Sequence, residues 1–301
     1  MPSSSAAALR AANRRGVLAM AAGTSSFVTN DSLIKYVTES LPSSQTIFLR
    51  GACATALLLV LALGGGLLRQ AAGLLDRRVL LRALLDTAAT FTYLTSLFHL
   101  PLANATAINM ATPIFITLFA VIAFRERVGP GRWLAIATGF AGVLLVVQPT
   151  PSAFNAYAVL CLGGTLLHAS RDLLTRTIDP RIPSLLVTLS TALAVTLAAA
   201  AWGLVQDWKP VTGAQLGLLA AAGVFLSGGY YLLTVSMRGG EVNVIAPFRY
   251  AGLLFALLIG FVVWGDVPNP LAWLGTALLV GAGLYVLHVE RSRADLEPIA
   301  D

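Results

Sequence analysis

Apolar stretches of about 20 residues recur along the whole of this 301-residue chain, and each has the length of a helix that crosses a lipid bilayer. Hydrophobic residues make up 57% of the chain and charged residues 11%, a balance that argues against a soluble globular domain. We therefore predict an all-α membrane protein with ten transmembrane helices. The spans lie near residues 16–37, 44–68, 80–98, 102–124, 131–148, 154–174, 184–205, 212–237, 242–264 and 270–289.

The basic residues predict how these spans are oriented. Of the 20 Lys and Arg residues, 16 lie in the two tails and in every second connection, whereas the other face has only Lys35 and Lys209. Loops rich in Lys and Arg stay in the cytoplasm, so both tails, 1–15 and 290–301, are predicted to be cytoplasmic. The 16 residues are Arg10, Arg14, Arg15, Arg69, Arg77, Arg78, Arg82, Arg125, Arg127, Arg132, Arg171, Arg176, Arg181, Arg238, Arg291 and Arg293.

The chain also repeats itself at an offset of 140 residues. Glu126 and Asp266 are each followed seven residues later by Trp-Leu, and Ala137, Leu144 and Val146 match Ala277, Leu284 and Val286. This pattern predicts two five-helix repeats, residues 16–150 and 151–289. Five is an odd number, so the second copy enters the membrane inverted, a plan typical of secondary transporters with a site near the midplane. Duplication alone also occurs in proteins that are not transporters.

Two charges lie at equal depth in the first two spans. Asp31 lies about seven residues before the end of span one, and Arg50 about seven residues after the start of span two. Both are roughly 10 Å below the outer surface at the rise of an α-helix. Burying either charge alone is costly, so we expect the two to pair. The pair either fixes the two helices structurally or serves as a gate or substrate contact.

A second pair is predicted on the inner side of the membrane. Arg249 lies in the cytoplasmic half of span nine, and Asp86 lies at similar depth in span three. Asp86 has an alternative, since it can reach the interface beside Arg82. If both pairs form, one lies on each side of the midplane, as an outer and an inner gate require.

Polar groups at mid-depth predict a substrate cavity. Asn109-x-x-x-Pro113 and Asn243-x-x-x-Pro247 place the same device in the fourth helix of each half, where the proline frees the asparagine carbonyl and bends the helix. A plain kink is the alternative to a hinge at Pro113 and Pro247. His168, in span six, is either a packing histidine or a proton carrier. The predicted lining is Asn30, Asn109, Asn243, Arg249, Tyr250, Tyr93 and His168.

Several functional classes lack their sequence signals. Cys53 and Cys161 lie inside spans and predict neither a disulfide framework nor a metal site, and we expect no cofactor. The sequence has no Gly-rich phosphate loop with Lys-Ser/Thr, no His-Glu-x-x-His and no Gly-x-Ser-x-Gly, which argues against direct ATP use and against catalysis. The net charge of +6 comes from loop arginines and does not predict nucleic-acid binding.

Several motifs resemble the EamA repeat of the drug/metabolite transporter superfamily. They are Leu102–Pro113, Arg125–Gly129, Gly139–Pro149, Asn30-Asp31 with Phe48–Gly51, and Ala246–Tyr250 with Gly265-Asp266. The resemblance covers residues 16–289. The second repeat has Asp266 where the family usually has Glu, and span seven has no arginine that matches Arg50. A symmetric site is therefore not expected.

The resemblance implies a ten-helix carrier in the bacterial inner membrane, with the fifth helix of each repeat peripheral. It implies a small-metabolite substrate: an amino acid or amino-acid derivative, S-adenosylmethionine, or a vitamin such as riboflavin. Import and export, proton coupling and facilitated diffusion, and a monomer and a homodimer all stay open. An intramembrane enzyme and a membrane sensor are the alternative functions.

The uneven distribution of Lys and Arg predicts on which side of the membrane the C-terminus lies. Alkaline phosphatase, which is active only in the periplasm, is expected to be inactive when fused after Asp301, because that terminus is predicted to be cytoplasmic. The measurement is enzyme activity in intact cells, with fusion abundance measured by immunoblot. An active fusion would contradict the helix count.

Overall fold

The computed structural model describes residues 3–112, 114–116, 118–119, 130–147, 155–175, 177–239 and 246–294. Within these ranges every regular element is helical, which confirms the all-α prediction. The α-helices are α1 (Ser3–Thr38), α2 (Ser43–Gly64), α3 (Arg77–Leu97), α4 (Leu102–Asn109), α5 (Pro130–Val147), α6 (Ala156–Thr175), α7 (Ser184–Gly203), α8 (Gly213–Gly239), α9 (Ala251–Ile259) and α10 (Pro270–Ala294). Leu67–Leu75 and Ala246–Tyr250 form 3₁₀-helices, and Gly260–Trp264 continues α9 as a π-helical turn.

Among the described residues, three helical segments are long and apolar enough to cross a membrane: α2, α7 and the Gly213–Leu233 part of α8. Helix α3 has a different composition, since Arg77, Arg78, Arg82 and Asp86 all lie in its first ten residues. Charges of this kind lower the hydropathy of a span, and they are tolerated in membranes where they pair inside a bundle. The layout of ten spans in two inverted repeats stays a prediction.

The helices pack into two compact units. The first unit comprises Met1–Val28, Pro101–Asn155 and Gly228–Asp301, and the second unit comprises Thr29–Leu100 and Ala156–Ser227. Each unit therefore takes segments from both of the predicted repeats. Helices α1 and α8 contribute residues to both units, because the divisions fall at Val28 and at Ser227.

Small residues bring helices of the first unit close together. Gly142 of α5 and Gly275 of α10 face each other: a Cβ added to Gly142 would lie 2.7 Å from the Gly275 carbonyl oxygen, and the reverse distance is 2.6 Å. Gly23 of α1 and Gly229 of α8 approach in the same way. A Cβ added to Gly23 would lie 3.3 Å from the Gly229 carbonyl oxygen, and the reverse distance is 3.2 Å. Close backbone approach through glycine is a common way in which membrane helices associate.

The second unit has its own close contacts. Gly51 of α2 lies against Thr196 of α7, and the Thr55 and Thr196 hydroxyls are 3.3 Å apart. A Cβ on Gly223 of α8 would lie 3.1 Å from the Ala54 nitrogen and 3.3 Å from the Arg50 carbonyl oxygen. The helix that carries Arg50 is therefore packed on two sides. Leu58, Ala62, Leu186 and Leu189 form an apolar cluster between α2 and α7 near one end.

Both ends of α3 are capped by charged side chains. Asp76 precedes the helix, and its carboxylate accepts hydrogen bonds from the Arg78 and Val79 amides at 2.8 and 3.2 Å. At the other end the Lys35 ammonium donates to the carbonyl of Leu97, at 2.9 Å, and to the carbonyl of Leu100. A cation at a helix C-terminus is favoured by the helix dipole. Helix α3, which carries Asp86 and Tyr93 of the site below, is held at both ends by these caps.

The glycine contact in the first unit makes a stability prediction. Gly275→Ala would place a Cβ 2.6 Å from the Gly142 carbonyl oxygen, so α5 and α10 have to move apart, at a cost of about 1–3 kcal/mol. Gly281, on the same helix, has nothing within 4 Å of an added Cβ. Gly281→Ala is therefore expected to be neutral or to stabilise the protein by about 0.5–1 kcal/mol. Thermal unfolding in detergent measures both, and equal melting temperatures would contradict the contact.

Candidate functional site

Polar and charged side chains collect inside the second unit. We call the set Asn30, Asp31, Arg50, Asp86, Tyr93, His168 and Arg171 the polar cluster. Asn30 and Asp86 are 2% exposed, Arg50 is 4% exposed and Tyr93 is 5% exposed. Ionised groups are expensive inside a membrane protein and are kept mainly where they serve a function. Six of the seven were predicted from the sequence as cavity or gate residues.

Asp31 is surrounded by hydrogen-bond donors. The Tyr93 hydroxyl donates to its Oδ2 at 2.9 Å, and the Asn30 side-chain amide donates to its Oδ1 at 2.9 Å. The positive charge of Arg50, on α2, also acts on this carboxylate. Asp31 itself is half-buried, whereas its donors are buried. A direct ion pair between Asp31 and Arg50 stays a prediction.

The contact between α3 and α6 positions Tyr93. Gly164 of α6 is buried against α3, and a Cβ there would lie 3.0 Å from the Tyr93 nitrogen and 3.3 Å from its Cα. One turn further along α6, the His168 ring packs against the Tyr93 ring, with centroids 5.8 Å apart and ring planes tilted by 58°. A larger residue at position 164 would therefore displace the tyrosine that donates to Asp31.

Asp86 pairs with Arg171, an arginine that the sequence analysis did not propose as its partner. It lies seven residues, or roughly 10 Å, before Tyr93 on the same face of α3, and Arg171 Nη1 lies 2.6 Å from its Oδ1. A pair between Asp86 and Arg249 stays a prediction. Arg171 also pairs with Asp172 at 2.7 Å, and its side chain is only 13% exposed. Counting basic residues assigned Arg171 to a loop, but α6 continues to Thr175, so Arg171 lies one turn inside the helix.

Arg82 is a buried cation that the sequence analysis assigned to a loop. Its side chain donates to the Thr175 hydroxyl at 2.9 Å and to the Thr191 hydroxyl at 2.5 Å, which joins α3 to α6 and α7. Arg82 is 8% exposed. Its charge and that of His168 also act on Asp86. One signal in the sequence indicated that Arg82 lies near Asp86: the two residues are four apart on one helix and therefore on the same face.

The first unit contains the remaining predicted residues. Helix α4 ends at Asn109, which is half-buried, and the Thr112 hydroxyl donates to the Asn109 carbonyl oxygen at 2.5 Å. The sequence analysis predicted that Pro113 leaves the Asn109 carbonyl without its backbone N–H donor. The Thr112 hydroxyl donates to that carbonyl instead. Pro113 itself and Asn243 lie outside the described residues.

The second predicted break lies beside Arg249. Ala246–Tyr250, which includes the backbone of Pro247, is a 3₁₀-helix, and the α-helix begins only at Ala251. Arg249 and Tyr250 are half-buried, and the charge of Arg249 acts on the tyrosine. The 3₁₀-helix therefore carries a guanidinium group and a phenol at consecutive positions.

The part of the chain that the structure describes contains no group of three or more His, Cys, Asp or Glu side chains arranged to hold a metal ion. What the polar cluster offers instead is hydrogen-bond donors, two carboxylates and guanidinium groups. Groups of these kinds are able to bind polar organic molecules and protons.

Comparison with known sequences identifies the family. Residues 14–148 and 155–288 each match the EamA-like transporter family. A riboflavin transporter of Rhizobium johnstonii is 29% identical over 72% of each chain. A pseudopaline exporter of Pseudomonas aeruginosa is 27% identical over 92% of this chain and 98% of its own. An S-adenosylmethionine uptake transporter of Rickettsia prowazekii is 23% identical over 87% of this chain and 88% of its own.

A solved crystal structure shares the fold. It superimposes with a TM-score of 0.64 at 19% sequence identity, and the match covers 91% of this chain and 98% of the other. At this identity the likeness concerns the fold alone.

The Asp86–Arg171 pair makes a prediction about stability. Asp86→Asn leaves the Arg171 charge buried with less compensation, which is expected to cost about 3–5 kcal/mol. Asp172→Asn removes the other carboxylate bound to Arg171, but that side chain is 29% exposed, so we expect about 0–1 kcal/mol. Thermal unfolding in detergent is the measurement. Equal destabilisation by the two variants would show that Asp86 is not the principal partner of Arg171.

Proposed function

We propose that this chain, which belongs to the EamA-like transporter family, carries a small polar metabolite across the bacterial cytoplasmic membrane by alternating access. It is a multi-pass membrane protein and a metabolite transporter of that family. The relatives named above move riboflavin, pseudopaline and S-adenosylmethionine. Their names include both an exporter and an uptake transporter, so direction does not follow from the family.

The observation that carries the proposal is the polar cluster. A structural protein of the membrane gains little from several buried charges, because each has to be compensated inside the bundle. A carrier needs such groups, since a polar solute in the membrane must exchange its water for hydrogen bonds from protein. Asp31 with Tyr93, Asn30 and Arg50 provides a carboxylate, a cation and neutral hydrogen-bond donors in one unit.

This inventory favours a substrate that has both charged and hydrogen-bonding groups. A guanidinium group binds a carboxylate or phosphate through two parallel hydrogen bonds, and a carboxylate binds an ammonium group. An amino acid or an amino-acid derivative fits that description, and S-adenosylmethionine and riboflavin are further candidates. Both termini in the cytoplasm and two inverted repeats, 16–150 and 151–289, complete the proposal.

Arg249 is proposed as an anchor for the anionic group. It lies at the end of the 3₁₀-helix Ala246–Tyr250, half-buried and next to Tyr250. Irregular backbone within a membrane protein is tolerated where it lines a cavity or is covered by protein. The planar fork of Arg249 suits a carboxylate or phosphate better than a lysine ammonium does.

The test is solute uptake by purified protein in liposomes. The panel contains radiolabelled amino acids, S-adenosylmethionine and riboflavin, and empty liposomes give the background. Entry of at least one unmodified solute supports a carrier. Conversion of a solute into a product would support an intramembrane enzyme. Failure of the whole panel to enter would contradict this substrate class.

Arg249→Lys keeps the charge but removes the second parallel hydrogen bond. We expect uptake to fall about tenfold or more, because one hydrogen bond to a charged group is worth about 1.5–3 kcal/mol. Arg181→Lys, a change at an exposed loop residue, is the matched control and should transport normally. Protein abundance is measured by immunoblot. Normal uptake by both Arg249→Lys and Arg249→Gln would show that Arg249 is not the anchor, and loss of both proteins from the membrane would assign it a structural role.

A further inference from the structure

We propose that helix α3, at its N-terminal end, binds an anionic phospholipid, with Arg69 and Arg77 at the lipid headgroup and the leucines below Arg77 against an acyl chain. The site lies on the outside of the second unit and shares no residue with the polar cluster. It therefore does not depend on which solute the chain carries, and it adds a lipid partner to the proposed transporter.

Helix α3 has two faces of different composition. One face is buried and carries Arg82 and Asp86. The other face is exposed and apolar, and it begins at Arg77. Residues three, four and seven positions further along a helix lie on the same face. At these positions α3 has a leucine stripe, formed by Leu80, Leu81 and Leu84, which are 44%, 47% and 64% exposed.

The depth of the leucine stripe identifies the kind of partner. Leu84 lies seven residues beyond Arg77, which is roughly 10 Å along the axis of the helix. In a membrane protein this distance leads from the headgroup level into the acyl chains. A soluble protein that binds Arg77 stays outside the bilayer, whereas a lipid contacts the arginine and the leucines together. The stripe therefore favours a lipid.

The 3₁₀-helix Leu67–Leu75 extends this surface beyond α3. Gly66, with a φ of +64°, turns the chain out of α2 and into the 3₁₀-helix. One side of the 3₁₀-helix packs through leucines against the apolar cluster between α2 and α7. The other side exposes Arg69 and Leu75, and Leu75 is 76% exposed. A segment with this distribution is typical of elements that lie at the level of the lipid headgroups.

The charges of these two segments favour an anionic headgroup. Arg69, Arg77 and Arg78 are all exposed. The acid among them, Asp76, is half-buried, and its Oδ1 accepts hydrogen bonds from the Arg78 and Val79 amides. Arginines near a membrane surface attract anionic lipids, and a guanidinium binds a phosphate through two parallel hydrogen bonds. A choline headgroup would bring its own cation to the arginines.

Arg78 has a structural role at this surface. Its guanidinium donates to the carbonyl of Thr177, in the connection that follows α6. In the same connection Ile182 contacts the 3₁₀-helix, since a Cβ on Gly73 would lie 3.2 Å from the Ile182 Cγ2. The connection thus holds the 3₁₀-helix and the start of α3. We therefore assign the headgroup to Arg69 and Arg77.

Photolabelling in vesicles tests where the lipid binds. Vesicles of phosphatidylcholine that contain the purified protein receive a trace of one probe, either phosphatidylglycerol or phosphatidylcholine, with a diazirine group in an acyl chain. Residues 80–84 are expected to take up at least about fivefold more label from phosphatidylglycerol, the usual effect of one arginine near an anionic surface. Equal labelling by the two probes would overturn the proposal. Absence of label from both probes would show that protein covers this face, such as a second copy, and would also overturn it.

Arginine variants test the headgroup contact in the same assay. Arg77→Gln is expected to lower the preference for phosphatidylglycerol about fivefold, and Arg69→Gln has the same direction. Arg15→Gln, which removes an exposed arginine of the first unit, is the matched control and should keep the preference at residues 80–84. An equal loss in Arg15→Gln would show that the lipid responds to net charge alone, which would overturn the site. If Arg77→Gln does not fold, Arg69→Gln decides.

Inorganic phosphate distinguishes a lipid site from a site for a free anion. Excess sodium phosphate is compared with sodium chloride at equal ionic strength, so that both salts screen charge alike. We expect the same preference for phosphatidylglycerol in both, because free phosphate gains no contact with the leucine stripe. Loss of the preference in phosphate alone would assign the arginines to a free anion and overturn the lipid site. These measurements contain no solute, so failure of the proposed transport leaves their result unchanged.

Discussion

The close approach of α3 and α6 at Gly164 is the contact on which the polar cluster depends. It brings the backbone of Tyr93 to within 3.0 Å of the position that a Cβ on Gly164 would occupy. At that spacing the α3 carboxylate meets the α6 guanidinium, and the Tyr93 hydroxyl reaches Asp31. The absence of one side chain thus sets the geometry of Asp86 and Asp31, the two acids of the polar cluster. Membrane helices without a hydrophobic driving force between them rely on such packing.

The sequence predicted the helical class and most of the cluster, because both depend on local composition. Long apolar runs predict helices, and a charge inside such a run is conspicuous, as Asp31 and Arg50 are. Arg171 and Arg82 were missed for a related reason. Counting basic residues treats an arginine near the end of a span as part of a loop, whereas helix α6 extends past Arg171 and Arg82 is buried beneath Thr175 and Thr191.

The ion-pair partners of buried charges and the packing of the helices were harder to predict from the sequence than the depth of each charge in its span. Asp86 and Arg249 lie at similar predicted depth, but depth does not say which helices are neighbours, and Asp86 is bound by Arg171. The compact units also combine segments from both sequence halves. A repeat in sequence describes ancestry and orientation, while a compact unit reflects which surfaces pack. The glycine pairs, such as Gly142 with Gly275, carry that packing information but give no periodic signal in the sequence.

The two acids of the polar cluster, Asp86 and Asp31, differ in how their charge is compensated. Asp86 is held by a guanidinium at 2.6 Å, and protonation of Asp86 would remove one of the two carboxylates that compensate the Arg171 charge. Asp31 accepts hydrogen bonds from a hydroxyl and an amide, both of which are neutral groups. The charge of Arg50 also acts on Asp31. Asp86 therefore joins α3 to α6 through a charged contact, whereas Asp31 joins α1 to α3 through the neutral hydroxyl of Tyr93.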